Sequence, residues 1–251
     1  MTRTEPRHRV VAILGAGGVL GAAIAGRLAA EPETDLVLSD LSDAALQPSV
    51  DGLDGSRGQF ATRTADVGDF DQVSAVVDLA VERFGRLDVM ISNAGVLSPN
   101  GRIHNLTTQD WERAFRVNVM GAVNAIRAAI PVMRDQGSGS IVLTASVSGL
   151  TAWSHAAPYC ATKAAVIQTA KVAAVEYARD GIRVNCVCPG TFRSAIHEGL
   201  PPEALDSIES RHPLGLGSAS DLVGAYTYLA GEDSHWTTGS AMVIDGGYSA
   251  P

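Results

Sequence analysis

The sequence predicts an α/β fold with a doubly wound, seven-stranded parallel sheet and helices on both faces. Short apolar runs rich in β-branched residues alternate with longer segments of helical periodicity. Most of the short runs are apolar on both faces, as strands of a parallel sheet covered on both sides must be. No linker, repeat or low-complexity segment divides the chain. Residues 1–251 are therefore expected to form one domain.

The elements follow one another in regular order. Strands are predicted at 10–14, 36–39, 60–64, 89–92, 140–144, 183–187 and 241–244. Helices are predicted at 22–30, 70–84, 111–136 and 159–179. The segment 191–216, between the last two strands, contains GLPP and HPLGLG and is predicted to be irregular. An irregular segment of this length in a compact domain is expected to act as a substrate lid.

Composition excludes several classes of protein. Hydrophobic residues make up 46% of the chain and charged residues 18%, so a substantial core can form. The net charge is −8, and no cluster of Lys and Arg could follow a phosphate backbone or an anionic membrane. The N-terminus has no apolar signal core, and no apolar run reaches membrane-spanning length. We therefore expect a soluble, cytoplasmic protein that binds neither nucleic acid nor membranes.

The three cysteines favour a reducing compartment. Cys186 and Cys188 lie two residues apart in a predicted strand, where both side chains point to one face and a mutual disulfide is disfavoured. Together with Cys160 they are expected to be free thiols, and no second Cys or His pair stands at zinc-binding spacing. No metal site is predicted.

A glycine-rich turn joins the first strand to the first helix in VVAILGAGGVLGAAIAGRLAA. Tight turns need glycine in any case, but glycines here also let backbone N–H groups and a helix N-terminus approach a pyrophosphate. The arrangement is typical of a Rossmann-type dinucleotide-binding domain. The predicted contacts are Gly15, Gly17, Gly18, Val19, Leu20 and Gly21.

A carboxylate ends the second strand, nineteen residues after the turn. Asp40, followed by Leu41, is where an acidic side chain accepts hydrogen bonds from the adenosine ribose hydroxyls. The same carboxylate would repel a 2′-phosphate, and no Arg or Lys stands at 16–20 or 41–42 to attract one. We therefore expect NAD rather than NADP as cofactor.

Two polar side chains share one face of the predicted helix in APYCATKAAV. Tyr159 and Lys163 are four residues apart, one helical turn, although a packed ring beside a solvated charge would give the same pattern. Ser146 follows the fifth strand, at the edge where ligands bind open parallel sheets. Asn118 interrupts a predicted helix, where asparagine is a poor helix former.

These residues together resemble the short-chain dehydrogenase/reductase family, in its NAD-dependent type, over nearly the whole chain. The matching motifs, in chain order, are the glycine turn, Asp66–Val67, SNAG, Asn118, Ser146, YCATK, Pro189–Gly190 and the tail TGSAMVIDGGYSA. Three features depart from the family pattern. The glycine turn has Leu14 and Val19 where threonine and glycine are usual, Ser92 replaces an asparagine, and Leu216 replaces a frequent arginine.

The resemblance implies catalytic roles. Tyr159 would be the acid/base, and the Lys163 ammonium would lower the pKa of its phenol toward the working pH. Lys163 would also hold the nicotinamide ribose, and Ser146 would bind the substrate oxygen. Asn118 would support a chain of water molecules that returns the proton to solvent. Further cofactor contacts implied by the family are Asp66, Val67, Asn93, Ala94, Gly95, Pro189, Gly190 and Thr191.

The resemblance also implies a reaction and an assembly. The expected activity is NAD-dependent oxidation of a secondary alcohol, cyclic or alicyclic, with a substrate pocket formed by Ser146, Trp153, Tyr159, Phe192 and Ile196. One alternative is a 3-oxoacyl-(acyl carrier protein) reductase using NADPH, and another is a non-catalytic nucleotide sensor on the same fold. The alanine-rich helix after Tyr159 permits close helix packing, and relatives use it to form a homotetramer.

Overall fold

A computed structural model describes residues 8–53, 56–194 and 202–250. The strands are Arg9–Leu14 (β1), Thr34–Asp40 (β2), Phe60–Thr64 (β3), Val89–Ser92 (β4), Gly139–Thr144 (β5), Ile182–Pro189 (β6) and Ala241–Ile244 (β7). Their order in the sheet is β3-β2-β1-β4-β5-β6-β7, and every neighbouring pair is parallel. This confirms the predicted seven-stranded sheet. The chain reverses its direction of travel between β1 and β4, where an open α/β sheet forms a ligand-binding crevice.

Helices cover both faces of the sheet, which confirms the doubly wound architecture. The α-helices of the described residues are Val19–Ala29 (α1), Asp43–Asp51 (α2), Phe70–Phe84 (α3), Thr108–Ala114 (α4), Gly121–Gln136 (α5), Ala157–Tyr177 (α6), Pro202–Glu209 (α7) and Ala219–Ala230 (α8). Helices α3, α5 and α6 pack on one face, and α1, α2 and α8 pack on the other. Among these helices none is long and apolar enough to cross a membrane.

The packing of strand β1 explains why its sequence is apolar from Val10 to Leu14. Val10, Ala12 and Leu14 belong to the core under α3, α5 and α6. Val11 and Ile13 belong to the core under α1, α2 and α8. Alternate side chains of a strand point to opposite faces, so a strand buried on both sides has no position for a polar residue.

The helices differ from prediction more than the strands do. The helix predicted at 111–136 consists of α4, a π-helical turn over Phe115–Met120, and α5. Helix α2 was not predicted, because Pro48 lies inside it and its apolar periodicity is weak. Helix α8 was also missed, although Ser218 and Asp221 form a capping box at its start.

The predicted lid at 191–216 is only partly irregular. Helix α7 occupies Pro202–Glu209 within it. Residues 195–201 of the lid lie outside the described part of the chain.

Candidate active site

A cavity of about 1210 Å³ opens at the carboxyl ends of the central strands. Gly21 and Asn118 do not line it, and the predicted substrate residue Ile196 lies outside the described residues. All the other predicted site residues do line it: Gly15, Gly17, Gly18, Val19, Leu20, Asp40, Leu41, Asp66, Val67, Asn93, Ala94, Gly95, Ser146, Trp153, Tyr159, Lys163, Pro189, Gly190, Thr191 and Phe192.

Steric contacts explain three glycines of the turn between β1 and α1. Gly15 has a φ of 79°, a left-handed conformation, and a Cβ there would lie 2.5 Å from the backbone nitrogen of Ala94. A Cβ on Gly17 would lie 2.1 Å from the carbonyl oxygen of Ala45, and one on Gly21 would lie 2.1 Å from that of Gly15. Each position therefore requires glycine for packing alone.

Gly18 differs from its neighbours, because a Cβ built there meets no atom within 4 Å. It is the N-cap of α1, which begins at Val19, so the N–H groups of the first helical turn have no partner within the helix. Val19, where relatives usually have glycine, does not have a positive φ; in the described chain only Glu33 and His155 do among the non-glycine residues. Valine therefore fits at this position without backbone strain. Open space beside a helix N-terminus suits a pyrophosphate.

Asp40 is already engaged with the glycine turn. Its Oδ2 accepts a hydrogen bond from Gly17 N–H at 2.9 Å, and its Oδ1 accepts one from Leu41 N–H at 2.8 Å. These bonds hold the turn against the end of β2. Each carboxylate oxygen has further lone pairs, so the group can still accept from ribose hydroxyls.

Asp66 forms an ion pair that sequence analysis did not anticipate. Arg116, in the π-helical turn, donates to Asp66 Oδ2 at 2.6 Å, and Gly68 N–H donates to Oδ1 at 2.9 Å. The hydrogen bond from Arg116 and then that from Gly68 lower the pKa of Asp66, while partial burial opposes them. Asp66 and Arg116 both line the cavity, beside Val67. The guanidinium thus lies against the region expected to hold adenine.

A hydrogen-bonded network joins the ends of three strands beneath the cavity. Asn93 donates to the carbonyl oxygen of Gly15 at 2.8 Å, and Thr144 Oγ1 donates to Asn93 Oδ1 at 3.1 Å. Lys163 Nζ donates to the backbone carbonyl of Thr144 at 2.8 Å. The ammonium group on α6 is therefore fixed to β5, while β5 is fixed to β4 and β1.

Lys163 and Tyr159 lie together, as the spacing predicts. Lys163 is 3% exposed, and its Nζ lies 5.7 Å from the centroid of the Tyr159 ring. Burial lowers the pKa of Lys163 to about 8. It is therefore still largely protonated at neutral pH.

The expected direction of the phenol pKa is wrong for the chain without cofactor. Burial raises the pKa of Tyr159 above its usual range, and hydrogen bonding to Ser146 opposes this only in part. The prediction assumed that the Lys163 charge would dominate, but loss of hydration is the largest influence on the phenol pKa. Ser146 is itself oriented, because its Oγ accepts from Ser148 N–H at 3.1 Å.

Asn118 lies behind the cavity wall and is buried. Its Oδ1 accepts from Val96 N–H at 2.8 Å, and its Nδ2 donates to Val96 C=O at 2.9 Å and to Thr162 Oγ1 at 3.0 Å. It belongs to the π-helical turn, a feature often found at functional sites. A Cβ on Gly95 would lie 3.3 Å from both Asn118 Oδ1 and Lys163 Nζ. Gly95 therefore lets these two side chains approach each other.

Aromatic rings form the wall on the substrate side. The Trp153 ring lies 6.1 Å from that of Tyr159 and 6.3 Å from that of Tyr248, which it meets edge-on. Next to Trp153, His155 adopts a φ of 65°, and its carbonyl oxygen accepts from Gly101 N–H at 3.0 Å. Strain of this kind is frequently kept at binding sites.

Several cavity residues were missed by sequence analysis. Tyr248 lies in the tail that the family motif covers, so its motif was a usable signal. Others come from segments without a recognised motif, and only folding brings them to the wall, among them Ala44, Ala45, Pro48, Arg113, Arg116, Ser194, Ile208 and Arg211.

The residues present fit a dinucleotide. Gly18 leaves the N-terminus of α1 open, Asp40 stands at the end of β2, and Tyr159 and Lys163 lie at the far end of the same cavity. In contrast, no group of three or more His, Cys, Asp or Glu in the described residues could hold a metal ion. Fold and cavity define a Rossmann-type oxidoreductase that works with a nicotinamide cofactor.

Comparison with known proteins gives the family. The family model described as enoyl-(acyl carrier protein) reductase matches residues 15–249. The chain is 34% identical to cis-4-hydroxycyclohexanecarboxylate dehydrogenase of Sinomonas cyclohexanicum, covering 97% of both chains. It is also 34% identical to the 3-oxoacyl-(acyl-carrier-protein) reductase of Thermotoga maritima, covering 95% of this chain and 97% of that one. The protein belongs to the short-chain dehydrogenase/reductase family, and it is an oxidoreductase acting on alcohol or ketone groups.

Solved structures agree with this assignment. Levodione reductase superposes with a TM-score of 0.91 at 32% identity, covering 98% of this chain and 99% of that one. Two more distant structures, each 28% identical and covering 97% of this chain and all of the other, contain a nicotinamide cofactor. They are NAD-bound xylitol dehydrogenase, with a TM-score of 0.89, and NADP-bound ElxO, with a TM-score of 0.90.

Proposed function

We propose that the protein transfers hydride between NAD(H) and the carbinol or carbonyl carbon of a cyclic or alicyclic substrate. The observation that carries the proposal is that one cavity joins Tyr159, Ser146 and Lys163 to the Asp40 carboxylate. When bound, the nicotinamide ring supplies or accepts the hydride.

The residues of the chain supply the proton and the orientation. Tyr159 gives its proton to the carbonyl oxygen during reduction and takes it from the hydroxyl during oxidation. Ser146 hydrogen-bonds the same oxygen and stabilises the charge that develops on it. Lys163 gives one N–H to Thr144, so its ammonium keeps two further donors for the ribose hydroxyls of the cofactor. Asn118, within reach of Lys163 across Gly95, supports return of the proton to solvent.

Asp40 is the basis for proposing NAD. A 2′-phosphate beside this carboxylate would be repelled, and Leu41 and Ser42, which follow Asp40 in the chain, carry no positive charge to compensate. We expect kcat/KM to be at least about tenfold higher with NAD than with NADP. Steady-state kinetics with both cofactors at one pH and ionic strength test this. Equal efficiencies, or a preference for NADP, would contradict it and favour the 3-oxoacyl reductase alternative.

The substrate class follows from the apolar wall and from the relatives. Trp153, Phe192 and Tyr248 offer ring faces to a carbon skeleton. A relative named for a cyclohexane ring and a superposing levodione reductase point the same way. We expect cyclohexanols to be oxidised faster than open-chain secondary alcohols of equal carbon number. NADH absorbance across such a panel measures this. NADH binding without turnover of any alcohol or ketone would instead support a nucleotide sensor.

We also propose that the protein is a cytoplasmic homotetramer. Helices α5 and α6 form a shallow groove with Val172, and Val175 on the same helix is 82% exposed. Apolar side chains left open on neighbouring helices favour association with a second copy. The three cysteines are free, as a reducing compartment would leave them.

A further inference from the structure

A buried histidine joins two segments that the proposed reaction uses separately. His212 follows α7 and is 4% exposed. Helix α7 places Ile208 on the wall of the cavity, and the turn after β6 places Thr191 on the same wall. The sequence predicts that α7 belongs to a substrate lid, and the family resemblance implies that Thr191 contacts the cofactor. The histidine ring lies between them.

Both ring nitrogens of His212 are hydrogen-bonded to backbone groups. Thr191 N–H donates to Nε2 at 3.1 Å. Nδ1 lies 2.9 Å from the carbonyl oxygen of Ile208, to which it donates. Since one nitrogen accepts and the other donates, the ring is neutral and carries its proton on Nδ1. The imidazole thereby fixes the end of α7 relative to Thr191.

Two further contacts determine the position of each partner. The His212 ring packs on the Tyr248 ring at 4.8 Å between centroids. Thr191 C=O accepts from Gly217 N–H at 3.3 Å, so Thr191 is held on both sides of its backbone. His212 and Thr191 are thus each held by further contacts, so loss of the hydrogen bond between them would change the position of the Thr191 backbone.

An ion pair also links the same two segments, but it is weak. Arg193 on the turn and Glu209 on α7 approach to 3.8 Å, with side chains 67% and 45% exposed. Exposed ion pairs of this length contribute little, because water competes with them and the side chains lose freedom. The buried bonds of His212 therefore dominate the link between the segments.

We propose that His212 is a positioning residue for the reaction. Its neutral ring fixes α7 to Thr191, so that α7 and the nicotinamide side of the proposed cofactor site adopt one joint arrangement. The inference rests on the proposed function, because it is Thr191 that meets the cofactor there. His212 touches neither cofactor nor substrate and acts through Thr191.

Three substitutions in the full-length protein separate the two hydrogen bonds. His212→Gln places an amide where Nε2 stands and can still accept from Thr191 N–H. His212→Asn places its amide where Nδ1 stands, so it keeps the Ile208 contact but does not reach Thr191. His212→Phe keeps the packing on Tyr248 and removes both bonds. Glu209→Gln, which breaks the exposed ion pair, is the matched control.

The readouts are the Kd for NADH by fluorescence titration, KM and kcat with NAD and an alcohol, and thermal unfolding. We expect the Asn and Phe variants to raise the Kd and the KM for NAD about tenfold, with a smaller change in kcat. His212→Gln stays within about threefold of wild type, and Glu209→Gln within about twofold.

Two results would overturn the inference. One is an Asn variant that binds NADH as wild type does, and the other is a Gln variant as weak as Phe. If the Phe variant does not fold, the Gln and Asn variants decide the matter, provided that their melting temperatures agree. Wild-type protein that binds no NADH would instead refute the proposed function, so the two failures are distinguishable.

Discussion

Burial governs the chemistry of Tyr159. Its phenol pKa is raised by desolvation, and the nearby Lys163 ammonium is itself depressed to about 8 by the same cause. A protonated phenol is suited to give a proton to a carbonyl oxygen. For the opposite reaction, the positive charge of the oxidised cofactor must favour the phenolate. At the residue scale, burial therefore favours the protonated form of the proposed acid/base group.

Removing the phenol oxygen should abolish turnover. We expect Tyr159→Phe to lower kcat by about 10²–10⁴-fold, because no other group gives or takes the proton at that position. NADH affinity should change little, as measured by fluorescence titration. Tyr228→Phe is the control, since its hydroxyl contacts Thr237 away from the cavity. Near-normal turnover by Tyr159→Phe would refute the role given to this residue.

Most of the residues proposed for the site could be predicted to meet at one cavity, but their electrostatics could not. The Tyr159 and Lys163 pair and the Asp40 carboxylate are recognisable by spacing and by their place after a strand or in a helix. The raising of the phenol pKa by burial was not predicted, because helical spacing indicates a nearby charge but not how much water the ring loses. Arg116 and Arg211 were missed for a related reason. They carry no motif, and they reach the cavity only through packing.

Alanine substitutions at Gly17, just before α1, and at Gly26, within α1, should change the stability of the protein in opposite directions. A Cβ on Gly17 meets the backbone of Ala45 at 2.1 Å, which cannot move away without displacing α2. We expect Gly17→Ala to cost about 1–3 kcal/mol of stability and to weaken NADH binding. Gly26, within α1, has no atom within 4 Å of such a Cβ. Gly26→Ala should therefore stabilise the protein by about 0.5–1 kcal/mol.

Urea unfolding and NADH titration measure both glycine variants. The paired design controls for the added methyl group, since only its surroundings differ. A destabilised Gly26→Ala, or a Gly17→Ala that binds NADH normally, would contradict the steric argument.

Charge on the exposed face of α6 should disrupt assembly. We expect Val175→Asp to lower the molar mass in light scattering below that of a tetramer, because a buried carboxylate without a partner is costly. Val81→Asp, on the partly exposed face of α3, is the control and should leave the mass unchanged. A monomeric wild-type protein would refute the proposed tetramer.

At the scale of elements, long regular segments were predictable and their interruptions were not. Helix α3 has the predicted bounds, because its apolar face is strongly periodic and Asp69 caps its start. The π-helical turn at Phe115–Met120 left no clear sign in the sequence apart from Asn118. Its wide turn depends on tertiary contacts, among them the bonds from Asn118 to Val96.

The buried ammonium of Lys163 should make global stability depend on pH. Its pKa is about 8 in the folded chain and 10.5 for an ordinary lysine. Between these values the unfolded chain binds more protons, so stability rises as pH rises through that window. Below pH 8 Lys163 is protonated in both the folded and the unfolded chain. The destabilisation caused by burying its charge is then at its full value and does not change with pH.

Comparison with Lys163→Met isolates this effect. We expect the stability of wild type relative to the variant to increase from pH 8 to 10.5, by at most about 1.4 kcal/mol per pH unit. Urea unfolding at several pH values measures the difference. Lys171→Met, on the exposed side of α6, is the control. A difference that falls with pH in this window would contradict the argument.

For the whole molecule, the sheet could be predicted because most of its strands are short apolar runs separated by helical segments, although β3 is polar and largely exposed. The family resemblance then indicated which strand ends meet at the cavity. The placement of residues 202–216 could not be derived, since it depends on contacts such as His212 with Tyr248, which join segments far apart in sequence. Composition and periodicity predict the sheet and its covering helices well, but they do not predict where irregular segments lie relative to the cavity.

The double use of Asp40 has a consequence for protein engineering. Its carboxylate accepts a hydrogen bond from Gly17 N–H and also lines the cavity. Under the proposed binding of NAD, a single exchange for a neutral or basic residue would relieve repulsion of a 2′-phosphate, but it would also release the glycine turn proposed to hold the pyrophosphate. Conversion to the phosphorylated coenzyme thus calls for a compensating mutation nearby, and lone substitutions at this position should yield poor enzymes with either coenzyme.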